Sequence, residues 1–272
     1  NRIVSMEKER GAGGTKPGLL GTIKFDNVSF GYPGTDSLLK NISLDFPSLS
    51  FIGITGPSGV GKSTIVKLMQ KFYRPVTGMV TYDNNDLRTI DPSYLRSNVS
   101  VVTSRDYFSN SSIKENLMLP LLTHDIGRMD WAIDKAGARE FIKSLDQGVE
   151  TKLTSNASNI SSGQKQLLAL ARGLITNPKV IVLDDALTQL GPEMEFNIIK
   201  TLQSLKEART VILISNQVWH LQLCDKIIVL EDGGVKESGG WNELMSKDTY
   251  IKSKMNQLES FMSGTSTNTR EA

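Results

Sequence analysis

Residues 56–64 read Gly-Pro-Ser-Gly-Val-Gly-Lys-Ser-Thr, a full match to the pattern G-x-x-x-x-G-K-S/T, and this stretch decides the fold class. Its glycines allow backbone N–H groups to turn inward around a phosphate, and Lys62 adds a mobile positive charge. A strand is predicted before it at Ser50–Thr55, and a helix after it at Ser63–Phe72, whose positive end would face the anion. The predicted nucleotide-binding positions are Gly56, Ser58, Gly59, Val60, Gly61, Lys62, Ser63 and Thr64.

The rest of the chain alternates short β-rich runs with helical stretches. Ile23–Phe30 alternates apolar and polar residues, as a half-buried strand does. Helical spacing recurs over residues 130–145 and 162–175. Four β-branched runs are typical of strands buried on both faces; they are Val99–Val102, Val180–Leu183, Val211–Ile214 and Ile227–Leu230. Strands that alternate with helices predict an α/β fold, in which helices cover a mostly parallel sheet.

A second phosphate-site element is predicted where the apolar run Val180–Leu183 ends in a carboxylate, Asp184. Such a carboxylate can hold the water shell of Mg²⁺ beside the phosphates, and a hydroxyl of the phosphate loop can bind the metal directly. We therefore predict Ser63 and Asp184 as the metal positions, with Mg²⁺ bound beside the phosphates of a nucleotide.

The composition of the 272-residue chain fits one large α/β domain or two small ones. The 31 basic and 29 acidic residues give a net charge of +2, too balanced to indicate a nucleic-acid partner. The single cysteine, Cys224, excludes an internal disulfide and suits a reducing cytosol. No apolar run approaches the roughly 18 residues of a membrane span, so a cytosolic domain is expected.

The segment Ile160-Ser161-Ser162-Gly163-Gln164, together with the two phosphate motifs, resembles the signature L-S-G-G-Q of the ATP-binding cassette (ABC) transporter family. The resemblance covers residues 22 to about 258. It implies a P-loop NTPase-type core with an N-terminal antiparallel β part and a helical subdomain. It also implies that Ser161, Ser162, Gly163 and Gln164 act on ATP held by a second cassette, which forms a homodimer or a heterodimer with this one. Tyr32, within Phe30–Pro33, is similar to the aromatic platform for adenine.

Further segments resemble cassettes of exporters, namely residues 71–78, 91–96 and 112–117, and residues 136–142 are similar to the toxin-secreting (type I secretion) branch. The resemblance implies a transmembrane domain as partner and a location at the cytoplasmic face of a plasma or bacterial inner membrane. It divides the chain into a linker from a membrane-spanning half (1–21), the cassette (22–260, with a helical arm at about 107–172) and a flexible tail (261–272).

Several positions depart from the family pattern, and in the family these positions take part in ATP hydrolysis. Asp185 stands where the family has a glutamate, and Asn216 stands where it has a histidine; these are the predicted catalytic positions. Aspartate is one methylene shorter, and a displacement of about 1 Å can cost on the order of 10²-fold in rate. Asparagine can donate a hydrogen bond but cannot become cationic. His220, four residues further, does not fill that position, and we expect a solvated helix histidine.

Two more departures are Ser104, in place of a glutamine, and Gly191, in place of an aspartate. Residues 154–159 also lack the acidic residue typical of exporters. Three hypotheses fit: the degenerate half of a two-site exporter pair, with little hydrolysis at its own site and weak ATPase activity in isolation; a homodimeric, slow secretion cassette; or a nucleotide-sensing cassette that does not power transport. They differ in ATP turnover and in the composition of the dimer.

Overall fold

A computed structural model describes residues 14–120 and 125–262. Most of the predicted linker (1–21) and nearly all of the predicted tail (261–272) lie outside these ranges. The strands are β1 Ile23–Phe30, β2 Leu39–Phe46, β3 Phe51–Thr55, β4 Thr77–Tyr82, β5 Asn85–Asp86, β6 Val99–Thr103, β7 Val180–Asp184, β8 Thr210–Ile214, β9 Lys226–Glu231 and β10 Gly234–Gly239. The helices are α1 Lys62–Met69, α2 Pro92–Asn98, α3 Ile113–Met118, α4 Ile126–Lys135, α5 Arg139–Lys143, α6 Ser162–Ile175, α7 Pro192–Leu205, α8 Trp241–Ser246 and α9 Tyr250–Met262.

The core is a six-stranded sheet in the order β10-β9-β3-β8-β7-β6. All its neighbouring pairs are parallel except β9 with the edge strand β10. Strands β3 and β8 are buried at every residue, because both faces of the sheet are covered. This confirms the predicted parallel core and the strands inferred from its β-branched runs.

Alternate residues of the parallel strands belong to two separate apolar layers. On β8, Ile212 and Ile214 pack on the side of the N-terminal sheet and α1. Val211 and Leu213 pack on the opposite side, with α6 and α7. The period-2 alternation of a strand therefore divides one apolar run between two cores.

A four-stranded antiparallel sheet, in the order β2-β1-β4-β5, confirms the expected N-terminal β part. In β1, Ile23 and Phe25 are buried while Lys24 and Asp26 are exposed, as the alternating sequence predicts. The sheet covers one face of the parallel core and completes the layer that carries the phosphate loop.

Helices α3 and α4 pack on α6, which crosses the other face of the core. Residues 130–145, predicted as one helical stretch, form α4 and α5 instead. Gly137 has a φ of 69°, and its N–H and that of Ala138 donate to the carbonyls of Asp134 and Ile133, which ends α4. Within the described ranges, no helix is both long and apolar enough to span a membrane.

Candidate nucleotide site

The phosphate loop connects β3 to α1, and its shape depends on glycine. Gly56, Gly59 and Gly61 have φ values of 142°, 83° and 107°, a region that side chains other than glycine rarely adopt. A Cβ atom on Gly56 would lie 2.2 Å from the carbonyl oxygen of Leu230 on β9. The loop therefore takes its path because Gly56 has no side chain.

Replacing Gly56 by Ala should destabilise the fold by about 2–4 kcal/mol, because backbone atoms of β9 would have to move. Gly59→Ala is the matched control, since a Cβ atom there meets nothing within 4 Å and only the backbone strain at φ 83° remains. Denaturant unfolding of both variants checks the difference. Equal losses for the two variants would contradict a steric requirement at Gly56.

Lys62 is folded onto the loop, and only 7% of its surface is exposed. Its Nζ atom donates to the carbonyl oxygens of Gly56, at 2.7 Å, and Pro57, at 2.9 Å. Burial lowers the pKa of Lys62, while Asp185 and Asp184 act in the opposite direction. The loop thus holds a partly desolvated cation, the charge that a bound polyphosphate requires.

Asp184 and Asp185 follow one another at the C-terminal end of β7. Burial raises the pKa of Asp184, and a hydrogen bond with the Ser63 hydroxyl and the charge of Lys62 partly oppose the rise. The Oδ1 atoms of both aspartates are buried, without a hydrogen-bond partner among the described residues. A cation is one partner that would satisfy such oxygens.

This donor set fits Mg²⁺. The metal binds one or two protein oxygens, keeps several waters and takes further ligands from phosphates. Ser63 and Asp184 would hold it in that way. The described residues contain no group of three or more His, Cys, Asp or Glu that could form an all-protein metal cage. Magnesium held together with a nucleotide does not need one.

One cleft brings together residues that lie far apart in the chain. Asp185 and Asn216 line it opposite the phosphate loop. The backbone N–H of Asp185 donates to the carbonyl oxygen of Ile214 on β8, which joins the ends of the two neighbouring strands. The other lining residues are Leu38, Ser58, Gly59, Gly61, Lys62, Ser63 and Thr64.

Tyr32 lies against the start of α1 and is not one of the residues that line this cleft. Its hydroxyl is 3.1 Å from Thr64 Oγ1, and it accepts a hydrogen bond from Lys67 Nζ at 3.2 Å. The rings of Phe30 and Tyr73 meet the Tyr32 ring edge-on, with centroids 5.1 and 5.2 Å away. Tyr73, 39% exposed, extends the aromatic surface, and the sequence analysis missed it.

The signature residues 161–164 lie at the start of α6, away from the cleft. Ser161 Oγ accepts the N–H of Gln164 at 3.1 Å, and Gln164 Oε1 accepts the N–H of Ser161 at 2.9 Å, a reciprocal helix cap. Ser161 and Ser162 are exposed. A Cβ atom on Gly163 would lie 3.2 Å from the carbonyl oxygen of Gln189, so the loop after Asp185 runs against this helix start.

The expectation of a solvated His220 is wrong. The residue is 1% exposed and lies in a 3-10 turn, Val218–Leu221. Its Nδ1 atom is 2.8 Å from Ser215 Oγ and its Nε2 atom is 3.2 Å from Glu195 Oε2. The side chain is buried because it has polar partners on two other elements, which the local sequence does not reveal.

Ser104 directly follows β6 and does not reach the cleft of Lys62 and Asp185. It lines a separate, polar cleft beside α6 with Gln166 and Gln189. Gln189 is a further candidate functional residue, in this second cleft, that sequence reasoning missed. Gly191 begins α7 as a cap residue without a side-chain hydrogen bond, and a Cβ atom there would meet nothing within 4 Å. An aspartate would therefore fit at position 191.

Comparison with known proteins identifies the family. Residues 39–188 match the ABC transporter family. The chain is similar to the leukotoxin translocation ATP-binding protein LktB of Pasteurella haemolytica-like sp. (strain 5943B) and of Mannheimia glucosida, with 37% identity over 244 residues in each case. It is also similar to a solved bacterial Atm1-family ABC exporter with ATP bound, at 27% identity and a TM-score of 0.87.

The chain belongs to the ABC transporter family. The matches cover 89% of this chain but 34% of each LktB protein, and 95% of this chain but 46% of the Atm1-family exporter chain. The chain therefore spans one part of these relatives. The predicted resemblance to exporter cassettes, including the toxin-secreting branch, is confirmed.

Proposed function

We propose that this chain is the cassette that binds MgATP for an exporter and hydrolyses it slowly at its own site. The observation that carries the proposal is the cleft in which the intact phosphate loop faces Asp185 and Asn216. Gly56–Thr64 holds the phosphates, Ser63 and Asp184 hold Mg²⁺, and Tyr32 supports the adenine. The Oδ1 atoms of Asp184 and Asp185, which have no hydrogen-bond partner within residues 14–120 and 125–262, support a cation at this place.

Slow hydrolysis follows from the two side chains opposite the loop. Asp185, with a φ of 50°, is fixed by its backbone hydrogen bond to Ile214, and its short carboxylate stands further from an attacking water than a glutamate would. Asn216 offers an amide to the γ-phosphate, and an amide stabilises developing negative charge less than a cationic imidazole does. Neither substitution changes the phosphate loop itself.

The cassette acts as the degenerate half of a heterodimeric pair. Ser161 and Ser162 are exposed outside their own cleft, where they are free to meet ATP held by another cassette. The N-terminus of α6 and its N–H groups favour an anion there. In such a pair, the signature residues 161–164 of this chain contact the ATP that is bound in the partner's complete site.

A homodimeric secretion cassette is the second candidate, and the 37% identity to leukotoxin translocation proteins supports its secretion part. In that case, both composite sites carry Asp185 and Asn216 and both turn over slowly. In either arrangement, the cassette works with a transmembrane domain and lies at the cytoplasmic face of the membrane. The third possibility, a nucleotide-sensing cassette, shares the MgATP site and differs in driving no transport.

MgATP should raise the melting temperature of the full-length protein, because a ligand that binds only the folded state stabilises it by mass action. Lys62→Ala removes the positive side chain held in the loop and should abolish most of that shift. Lys24→Ala, which removes an exposed lysine of β1 that does not line the cleft, is the control and should retain most of it. A thermal shift assay with and without MgATP checks both, and an equal shift in Lys62→Ala and the parent would refute the site.

A further inference from the structure

A chain of three buried polar side chains lies behind the cleft. Ser215, His220 and Glu195 are 2%, 1% and 9% exposed. They join the end of β8, the 3-10 turn Val218–Leu221 and the first turn of α7. None of the three lines the cleft itself, whereas Asn216, the neighbour of Ser215, does.

The hydrogen bonds that link Ser215, His220 and Glu195 have one consistent assignment of donors and acceptors. An ionised Glu195 carboxylate can only accept, so His220 Nε2 carries the proton across the 3.2 Å contact. Ser215 Oγ accepts the N–H of Gln217 at 3.0 Å, which leaves its own proton to donate to Nδ1 of His220 at 2.8 Å. Every donor and acceptor is matched when His220 is neutral, and burial lowers its pKa against the opposing effect of Glu195.

These contacts fix the backbone on both sides of Asn216. The hydroxyl of Ser215 and the N–H of Gln217 close a turn across it. The N–H of His220 donates to the carbonyl oxygen of Gln217 at 3.0 Å, and the N–H of Ser215 donates to that of Ile54 on β3 at 3.1 Å. The Asn216 side chain is exposed and projects into the cleft from a turn whose backbone is held at several points.

We propose that His220 is a positioning residue for Asn216. Through Ser215 it holds the turn that directs the Asn216 amide at the γ-phosphate, and through Glu195 it ties that turn to α7, the helix that follows Gly191. His220 thus supports the asparagine that replaces the family's histidine, without touching the nucleotide. The inference rests on the proposed MgATP site and names a residue that the motifs do not contain.

The test compares ATP and ADP affinities of the full-length protein for variants at three positions. Asn216→Ala should lower the ratio of ATP to ADP affinity by about tenfold, the effect of one lost hydrogen bond to a charged group. His220→Leu should lower the ratio by the same factor and leave ADP affinity unchanged within about twofold. The double variant should be no worse than either single variant, because both changes remove one interaction.

His220→Gln is the matched conservative variant. Its amide oxygen can accept from Ser215 and its amide nitrogen can donate to Glu195, so the ratio should remain within about threefold of the parent. Ser215→Ala breaks the same row of hydrogen bonds without removing a large buried side chain. It should reproduce the effect of His220→Leu. It therefore keeps the test decisive if His220→Leu does not fold.

The possible failures are distinguishable. If Asn216→Ala lowers the ratio but His220→Leu and Ser215→Ala do not, the positioning role of His220 is wrong and the MgATP site stands. Equal loss of ADP and ATP affinity in those variants would indicate general damage and would also overturn the inference. If Asn216→Ala changes nothing, Asn216 does not reach the γ-phosphate, and both that part of the proposed site and this inference are wrong.

Discussion

Replacing Ser161 by Asp should abolish nearly all ATP turnover of the assembled transporter, whereas Ser161→Asn should retain a substantial part of it. Both replacements preserve the cap of α6, because either side chain can accept the N–H of Gln164. Of the two replacements, only Ser161→Asp adds a negative charge where the γ-phosphate of the partner's ATP is proposed to lie. Two unit charges at about 4 Å repel by about 4 kcal/mol near a protein surface, which corresponds to a loss of about 10³-fold.

The matched comparison is with Asp185. If this chain is the degenerate half, Asp185→Asn alters a site that contributes little hydrolysis, and turnover should fall by less than about fivefold. Steady-state ATPase activity of the reconstituted transporter measures each variant, with Ser253→Asp on the exposed face of α9 as a charge control. Equal, near-total losses for Ser161→Asp and Asp185→Asn would favour a homodimer and end the degenerate-half proposal.

The double change Asp185→Glu and Asn216→His should raise turnover at this chain's own site by on the order of tenfold. It restores a longer carboxylate for the attacking water and an imidazole for the γ-phosphate. The gain stays below that of a complete site because Ser104 and Gly191 are unchanged. Each single change should do little, since groups that act as a unit are not additive.

The control for this gain is Asp185→Asn with Asn216→His, which has the imidazole but no carboxylate and should remain slow. Asp185 has a φ of 50°, which Asp tolerates better than Glu, so the double variant should lose up to about 1 kcal/mol of stability. Single-turnover ATP hydrolysis with the partner's site disabled measures the effect. Fast turnover in the unmodified chain would contradict the account.

Elements with a strong local pattern could be predicted from the sequence. Strand β1 has the predicted bounds, Ile23–Phe30, and α6 covers the predicted residues 162–175, because apolar periodicity and a capping serine mark them. The phosphate loop could be placed between its strand and helix for the same reason. The order of the family's motifs along the chain then indicated that two distant residues, Asp185 and Asn216, would lie beside the phosphate loop.

Other features depend on tertiary contacts that no local pattern contains. His220 is polar and was expected in solvent, yet Ser215 and Glu195 satisfy both its ring nitrogens in the interior. Strand β10 was not predicted, because it is an edge strand that pairs with β9 alone and every one of its residues is partly or fully exposed. The break at Gly137 was missed because a single glycine in a helical stretch can either be tolerated inside the helix or cap its end.

The degenerate-half proposal depends on which nucleotide remains on this chain while the transporter hydrolyses ATP. The full-length protein and its partner are incubated with MgATP, quenched after many turnovers, and the nucleotide held in the cleft of Lys62, Asp185 and Asn216 is identified. If this chain is the degenerate half, intact ATP remains there while the other site turns over. ADP produced there at the pace of the other site, or no bound nucleotide at all, would contradict that proposal.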